Sequence, residues 1–186
     1  MWQYRGYSKP LYPNVEYPIP FNPPYVCCDN PVGYYRRKFT AKKSARSILY
    51  FGGVDNAYFV YLNGTYVGFS KGSRLPAEYD VTELLQEGEN LLCVKVFTYS
   101  DATYLENQDM LLASGIFRDV MLIQTGKVSL WDYELYTEGN TLHAEVTCAA
   151  QSADIGLSAA DIPSTHDTQT AAPQAQFNAD TLYAGC

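Results

Sequence analysis

The chain has 186 residues, a hydrophobic fraction of 47%, a charged fraction of 18% and a formal net charge of -7. This composition builds a folded core rather than a disordered chain, and its length allows one full domain with part of a second. The acidic balance argues against nucleic acid and anionic membranes as partners, and no apolar run approaches the ~18 residues of a bilayer span.

Residues 1–31 hold seven of the ten prolines. Proline fixes φ, removes a donor and pushes its predecessor into extended backbone. Pro10 to Pro31 therefore reads as an extended arm laid over another surface, tacked down by Tyr12, Tyr17, Phe21 and Tyr25. Five cysteines, with Cys27 and Cys28 adjacent, do not suggest a disulfide framework, and Met1 to Gly6 has no apolar segment of the signal-peptide type. Both observations favour a reducing, cytoplasmic setting.

From Gly33 the pattern turns to period two. Tyr34 to Ala41 and Arg46 to Phe51 read as strands joined by a basic turn at Lys42 and Lys43. Tyr58 to Leu62 and Thr65 to Phe69 flank Asn63-Gly64, a strong short signal for a hairpin because a type I′ turn needs positive φ at both central residues. Asn63-Gly64-Thr65 is also a formal glycosylation sequon, though at a tight hairpin tip the turn is the better reading. Gly68-Phe69-Ser70-Lys71-Gly72 spells the nucleophile-elbow pattern, which needs a following helix and a histidine partner. Pro76 opposes the helix, and His143 and His166 lie far downstream, so a glycine-flanked turn is expected.

Asp80 is placed to cap a short helical turn from Val81 to Leu85, with Glu83 at the capping-box position. Leu92, Val94 and Val96 alternate with Leu91, Cys93 and Lys95, as a half-buried strand from Asn90 to Phe97 requires. A long polar connection, Ser100 to Val120, follows, and long connections in compact domains are often functional. Phe117 to Gln124 reads as the strand that closes the first domain. Beyond Gly126-Lys127, the stretches Val128 to Thr137 and Asn140 to Ala149 form an alternating hairpin turned at Glu138-Gly139. After Ala150 the pattern decays, so the second domain is expected to be truncated. Many short strands without helical periodicity predict an all-β fold.

Three stretches carry a resemblance. Ser100-Asp101-Ala102-Thr103-Tyr104-Leu105-Glu106-Asn107-Gln108-Asp109-Met110, continuing through Ser114-Gly115-Ile116-Phe117-Arg118-Asp119-Val120, resembles a signature of the non-catalytic N-terminal part of glycoside hydrolase family 2 β-galactosidases. Ala102, Thr103, Asn107 and Leu111 are the main departures. Tyr12-Pro13-Asn14-Val15-Glu16-Tyr17-Pro18 is similar to the family's Y-x-N-V-x-Y-P. Ser73 to Asp80 is similar to its S-R-L-P-x-E-F-D.

The resemblance implies a jelly-roll β-sandwich over residues 1–126 and the start of an immunoglobulin-like sandwich over 127–186. It implies that Asn14 and Asp109 contact a galactoside in an active site whose two catalytic glutamates lie on a later barrel domain. Asp109 would also hold a sodium ion there, and the complete enzyme would use magnesium as well. On this reading the chain is an N-terminal fragment, partnered by the immunoglobulin-like and barrel domains of its own polypeptide, with homo-oligomer formation left open. No catalytic residue is expected on it, and alone it is expected to be inactive. Arg74 and Glu78 are expected to form a structural ion pair, with Glu106 and Arg118 holding the loop. Two alternatives make different demands: a stand-alone carbohydrate-binding module needs a groove lined by exposed aromatics on one sheet face, whereas a purely structural, subunit-interface domain needs exposed apolar patches without a cleft.

Overall fold

The computed structural model describes residues 2–7, 9, 11–12, 17–26, 29–106, 108–138 and 141–148, with the backbone of 158–159 and 175–176. Two compact units divide at Ile123/Gln124.

The first unit is an all-β jelly-roll sandwich. Its strands are β1 (Val32–Ala41), β2 (Arg46–Phe51), β3 (Val54–Asp55), β4 (Tyr58–Leu62), β5 (Thr65–Ser70), β6 (Ala77–Asp80), β7 (Gly88–Phe97), β8 (Gly115–Ile116) and β9 (Val120–Thr125), the last of which runs on past Ile123 to Thr125. One sheet has the order β1-β7-β4-β5, a second β6-β2-β9, and β3 pairs with β8. The chain therefore crosses repeatedly between sheets, and each strand places alternate residues inward.

The core is the product of that alternation. Leu92, Val94 and Val96 from β7 and Tyr58, Val60 and Leu62 from β4 are buried, facing Leu49 and Phe51 of β2. Tyr79 of β6 joins them edge-on, with ring centroids 5.8 Å from Phe51 and 6.5 Å from Tyr58. That ring also explains the first glycine of the elbow-like pattern: a Cβ on Gly68 would lie 2.4 Å from the Tyr79 ring. Ser70 ends β5, a turn rather than a helix follows, and the nucleophile reading is set aside.

The β4–β5 hairpin has φ of 52° at Asn63 and 84° at Gly64, as the turn type requires. Asn63 has a second task. Its amide nitrogen donates to the Leu84 carbonyl at 3.0 Å and to Asn90 Oδ1 at 2.8 Å, while its oxygen accepts from Leu91 N–H at 2.9 Å. Both amide hydrogens are committed inside the fold, which disfavours glycosylation at the sequon. Asn90 is fully buried and also accepts from Gln86 N–H at 2.8 Å while donating to the Gln86 and Gly88 carbonyls. Asn90→Leu keeps the volume but strands these groups, and each buried unpaired polar group costs ~1–3 kcal/mol. Chemical denaturation is expected to show a loss of about 3 kcal/mol; a neutral result would mean the network relaxes onto water.

Val81 to Leu85 forms one turn, with Leu85 N–H donating to the Val81 carbonyl at 2.9 Å. Asp80 caps it by accepting from the Thr82 N–H at 3.0 Å and the Thr82 hydroxyl at 2.6 Å. Those bonds, with a smaller contribution from Arg46, hold its carboxyl below the usual range.

Two expectations for strands need correction. Ala77–Asp80, not among the expected strands, is strand β6 paired antiparallel with β2. The strand expected from Phe117 begins only at Val120. Phe117 and Arg118 aim both backbone N–H groups at the Gly53 carbonyl, at 3.4 and 3.3 Å, in the irregular stretch that separates β8 from β9 along the chain.

In the second unit, β10 (Leu130–Glu138) and β11 (Thr141–Cys148) form the expected antiparallel hairpin, with a register irregularity between Leu130 and Asp132. A short pair, β12 (Ser158–Ala159) with β13 (Ala175–Gln176), follows. The tip at Gly139-Asn140 and the remainder of 149–186 lie outside the described residues.

Candidate sugar-facing loop

The connection between β7 and β8 is built on buried polar bonds. Ser100 caps a 3-10 turn, Asp101–Tyr104, accepting from Ala102 N–H at 3.1 Å while its N–H donates to Thr103 Oγ1 at 3.0 Å. Asn56, buried at the end of β3, donates to Thr103 Oγ1 at 2.9 Å and accepts from the Ser100 hydroxyl. The departure at Thr103 thus keeps a hydroxyl where one is needed. Lys71 pairs with Asp101 at 2.6 Å, and that bond holds the Asp101 carboxyl below its ordinary range.

Further along, Glu106 accepts from Ser73 N–H at 3.1 Å and from the Ser73 hydroxyl. Arg74, the next residue, donates to the buried Asp55 at 3.3 Å and to Met110 Sδ at 3.1 Å. Its guanidinium and that of Arg118 lie 5.4 and 5.2 Å from the centre of the Phe117 ring. Arg118 then donates to the carbonyls of Gly52, at 3.2 Å, and Arg74, at 2.9 Å. Burial pushes the Asp55 carboxyl up, Arg74 opposes that, and nearby Glu106 adds to it.

The expected Arg74–Glu78 pair is therefore corrected: Arg74 pairs with Asp55. Residues four apart meet on a helix, but along extended chain they are separated by about 13 Å. Glu78 sits exposed on β6 opposite Tyr50. Glu106 binds Ser73, and Arg118 binds the carbonyls of Gly52 and Arg74. Asp55 and Glu106 are neighbours, yet their oxygens are engaged by Ser73 and Arg74, an arrangement for holding chain rather than for acid–base work.

The N-terminal arm closes over this loop. The Tyr104 ring stacks on Tyr17 at 6.1 Å and meets Phe21 edge-on at 5.6 Å. Its hydroxyl lies 2.8 Å from the Tyr25 carbonyl and 3.0 Å from that of Pro20. Asn30 exchanges two 2.9 Å bonds with the Tyr99 backbone. Leu112 N–H donates to the Leu11 carbonyl at 2.9 Å, and beside that bridge the Tyr12 hydroxyl donates to the Asp109 carboxylate. Asp109 is exposed, with Met110 held by Arg74 on one side and Tyr12 gripping its carboxylate.

Asn14 lies outside the described residues, as do Cys27 and Cys28. Sequence reasoning missed Tyr12, Asn56 and Asp55 as partners of the loop. Only Tyr12 carried a signal, being the first residue of the motif that contains Asn14. Among the described residues no three His, Cys, Asp or Glu side chains converge on a metal position. No helix among them is long and apolar enough to cross a membrane.

The sugar binding domain of the glycosyl hydrolases family 2 matches residues 1–126. The chain belongs to this family. It is 49% identical over 150 residues to a β-galactosidase of Vibrio cholerae, covering 78% of this chain and 15% of that protein. It is 51% identical over 134 residues to one of Alteromonas mediterranea, covering 70% and 13%. The chain thus spans about 15% of the length of the first of these relatives. Among solved structures, a β-glucuronidase of an uncultured Clostridium sp. superposes with a TM-score of 0.51 at 30% identity, over 63% of this chain and 24% of that one. A family 2 member from Bacteroides cellulosilyticus shares the fold, with a TM-score of 0.55 at 22% identity over 63% and 16%.

Proposed function

We propose that this family 2 domain is a non-catalytic positioning and scaffold element of a β-galactosidase, offering Asp109 and Asn14 to a terminal galactose whose reacting groups are met by another part of the polypeptide. The observation that carries this reading is the grip on Asp109: an exposed carboxylate fixed by Tyr12 and by the Arg74–Met110 contact. An exposed acid with no partner role is normally left to solvent, whereas a carboxylate held in place is suited to accept sugar hydroxyls. Near-half identity to β-galactosidases over the same segment supports the substrate class. Asp109 is also the residue of this chain that would ligate sodium, as a hard oxygen donor beside the sugar. Retaining glycosidases need two carboxyl groups ~5–5.5 Å apart across the scissile bond. In our reading neither belongs to this chain, and the purified chain is inactive on β-galactosides.

The test is a chimera in which this chain replaces the matching segment of the Vibrio cholerae relative. Asp109→Ala is expected to lower kcat/KM for a β-galactoside by at least ~100-fold, the range of a lost positioning contact. Tyr12→Phe, which leaves the carboxylate but frees it, is expected to raise KM several-fold with an unchanged melting curve. A chimera that is active and indifferent to both changes would sink the proposal.

A further inference from the structure

The outer face of the four-stranded sheet belongs neither to the core nor to the Asp109 loop. Period two sends Phe59 and Tyr61 of β4 and Phe97 of β7 to that face, opposite the buried Val60, Val94 and Val96, and a register irregularity between β4 and β5 lets Phe69, opposite Phe59, and Tyr66, opposite Tyr61, share it although they are three apart. The rings touch in sequence: Phe59 lies 5.0 Å from Phe69, 5.9 Å from Phe97 and 6.3 Å from Tyr66, and Tyr66 lies 5.7 Å from Tyr61. Lys95 extends the row, its Nζ 4.8 Å from the Phe97 ring and 5.9 Å from that of Tyr34 on β1. Tyr34 is 66% exposed and Tyr66 53%. Four strands at about 4.8 Å spacing make the row about 14 Å wide. A contiguous aromatic surface of this kind marks a binding face.

Its charge identifies the occupant. The protein is acidic, at -7, yet this face carries Arg36, Lys38 and Lys95 against Glu89. Lys38 takes Glu89 at 2.8 Å, and among the described residues no carboxylate pairs with Arg36 or Lys95. Arg36 and Tyr34 are two apart on β1, opposite Cys93 and Lys95. Two unmatched cations thus adjoin exposed rings whose faces are apolar and whose Tyr34 and Tyr66 hydroxyls are polar. Peptides are taken up along a free strand edge or in a groove, and this surface is the broad face of a sheet. We propose that it binds an anionic saccharide: rings receive the C–H faces of pyranoses, tyrosine hydroxyls meet sugar hydroxyls, and Arg36 with Lys95 meets uronate carboxylates. The face stands whether or not Asp109 positions galactose.

Calorimetric titration of the full 186-residue chain with tetragalacturonate decides the matter, with neutral galactotetraose and an acidic peptide, hexaglutamate, as comparisons. Tetragalacturonate is expected to bind with sub-millimolar affinity, weakened about tenfold by ~0.5 M salt because exposed charges are screened. Galactotetraose should bind at least ~10-fold more weakly, the loss of a charge-assisted contact. Lys95→Met and Tyr66→Ala, each verified as folded by its melting curve, should each abolish most of the signal, while Asp109→Ala should leave it intact. Absence of binding at millimolar ligand, equal affinity for the neutral sugar, hexaglutamate binding as well as tetragalacturonate, or sensitivity to Asp109→Ala would each overturn the assignment.

Discussion

Gly33→Ala is expected to unseat Trp2 from the core and cost about 3–5 kcal/mol, as much as deleting a large buried aromatic side chain. Gly33 lies in β1, its backbone fixed opposite Val96 of β7. An ideal Cβ there would stand 1.9 Å from Trp2 Cζ3 and 2.3 Å from Cε3. The strand cannot retreat without opening its ladder, so the indole must leave. Trp2 is 9% exposed, stacks on Tyr35 at 6.4 Å and 13°, and is part of the main core cluster. The methyl group would therefore act at a distance, releasing the arm segment that Trp2 anchors. Trp2 and Trp131 are the two tryptophans, so a Trp131→Phe background isolates the signal: emission should shift to the red as the indole enters water. Trp2→Ala should cost as much, and combining the two should add little, since both remove one contact. Additive losses, or an unshifted emission, would show that the strand rather than the indole gives way.

The sequence could reveal whatever is local. Asn63-Gly64 carries its own backbone requirement, so its turn is legible to the residue, while β5 runs one residue further, to Ser70. The alternation at Leu92, Val94 and Val96 reports one buried face, and it holds through β7. Contacts between distant segments leave no such trace. Tyr12 and Asp109 are 97 positions apart and meet because the arm folds back, and only the two motifs, read together, hinted at it. Asp55 pairs with Arg74 because β3 ends beside the turn after β5, a fact of topology rather than spacing. Strand β6 was hidden for another reason: four residues behind a proline look like loop until β2 supplies the partner. The outer aromatic face could be counted in the 17 tyrosines but not located, since which side of a sheet faces solvent depends on what the other side packs against.

Arg74→Leu should cost about 3 kcal/mol at neutral pH, the lower end of the range for breaking a buried pair, because Arg74 is itself part-exposed. Asp55 has a side-chain exposure of 5% and that of Arg74 is 32%. Removing the guanidinium leaves a desolvated carboxylate without the one cation that pairs with it among the described residues, and it also frees Met110, next to Asp109. The pH dependence gives the cause away. Burial already raises the folded pKa of Asp55 above that of the unfolded chain, and Arg74 restrains the rise. In the variant the folded value climbs further. A group raised on folding binds its proton more tightly in the folded state, so as pH falls through the folded pKa toward the unfolded ~3.9 the variant recovers stability relative to wild type. Urea melts at pH 7 and pH 4.5 should therefore show the gap narrowing. Asp55→Asn in the same chain should remove both the deficit and its pH dependence. A gap that stays constant with pH would place the cost in the lost Phe117 and Met110 packing instead.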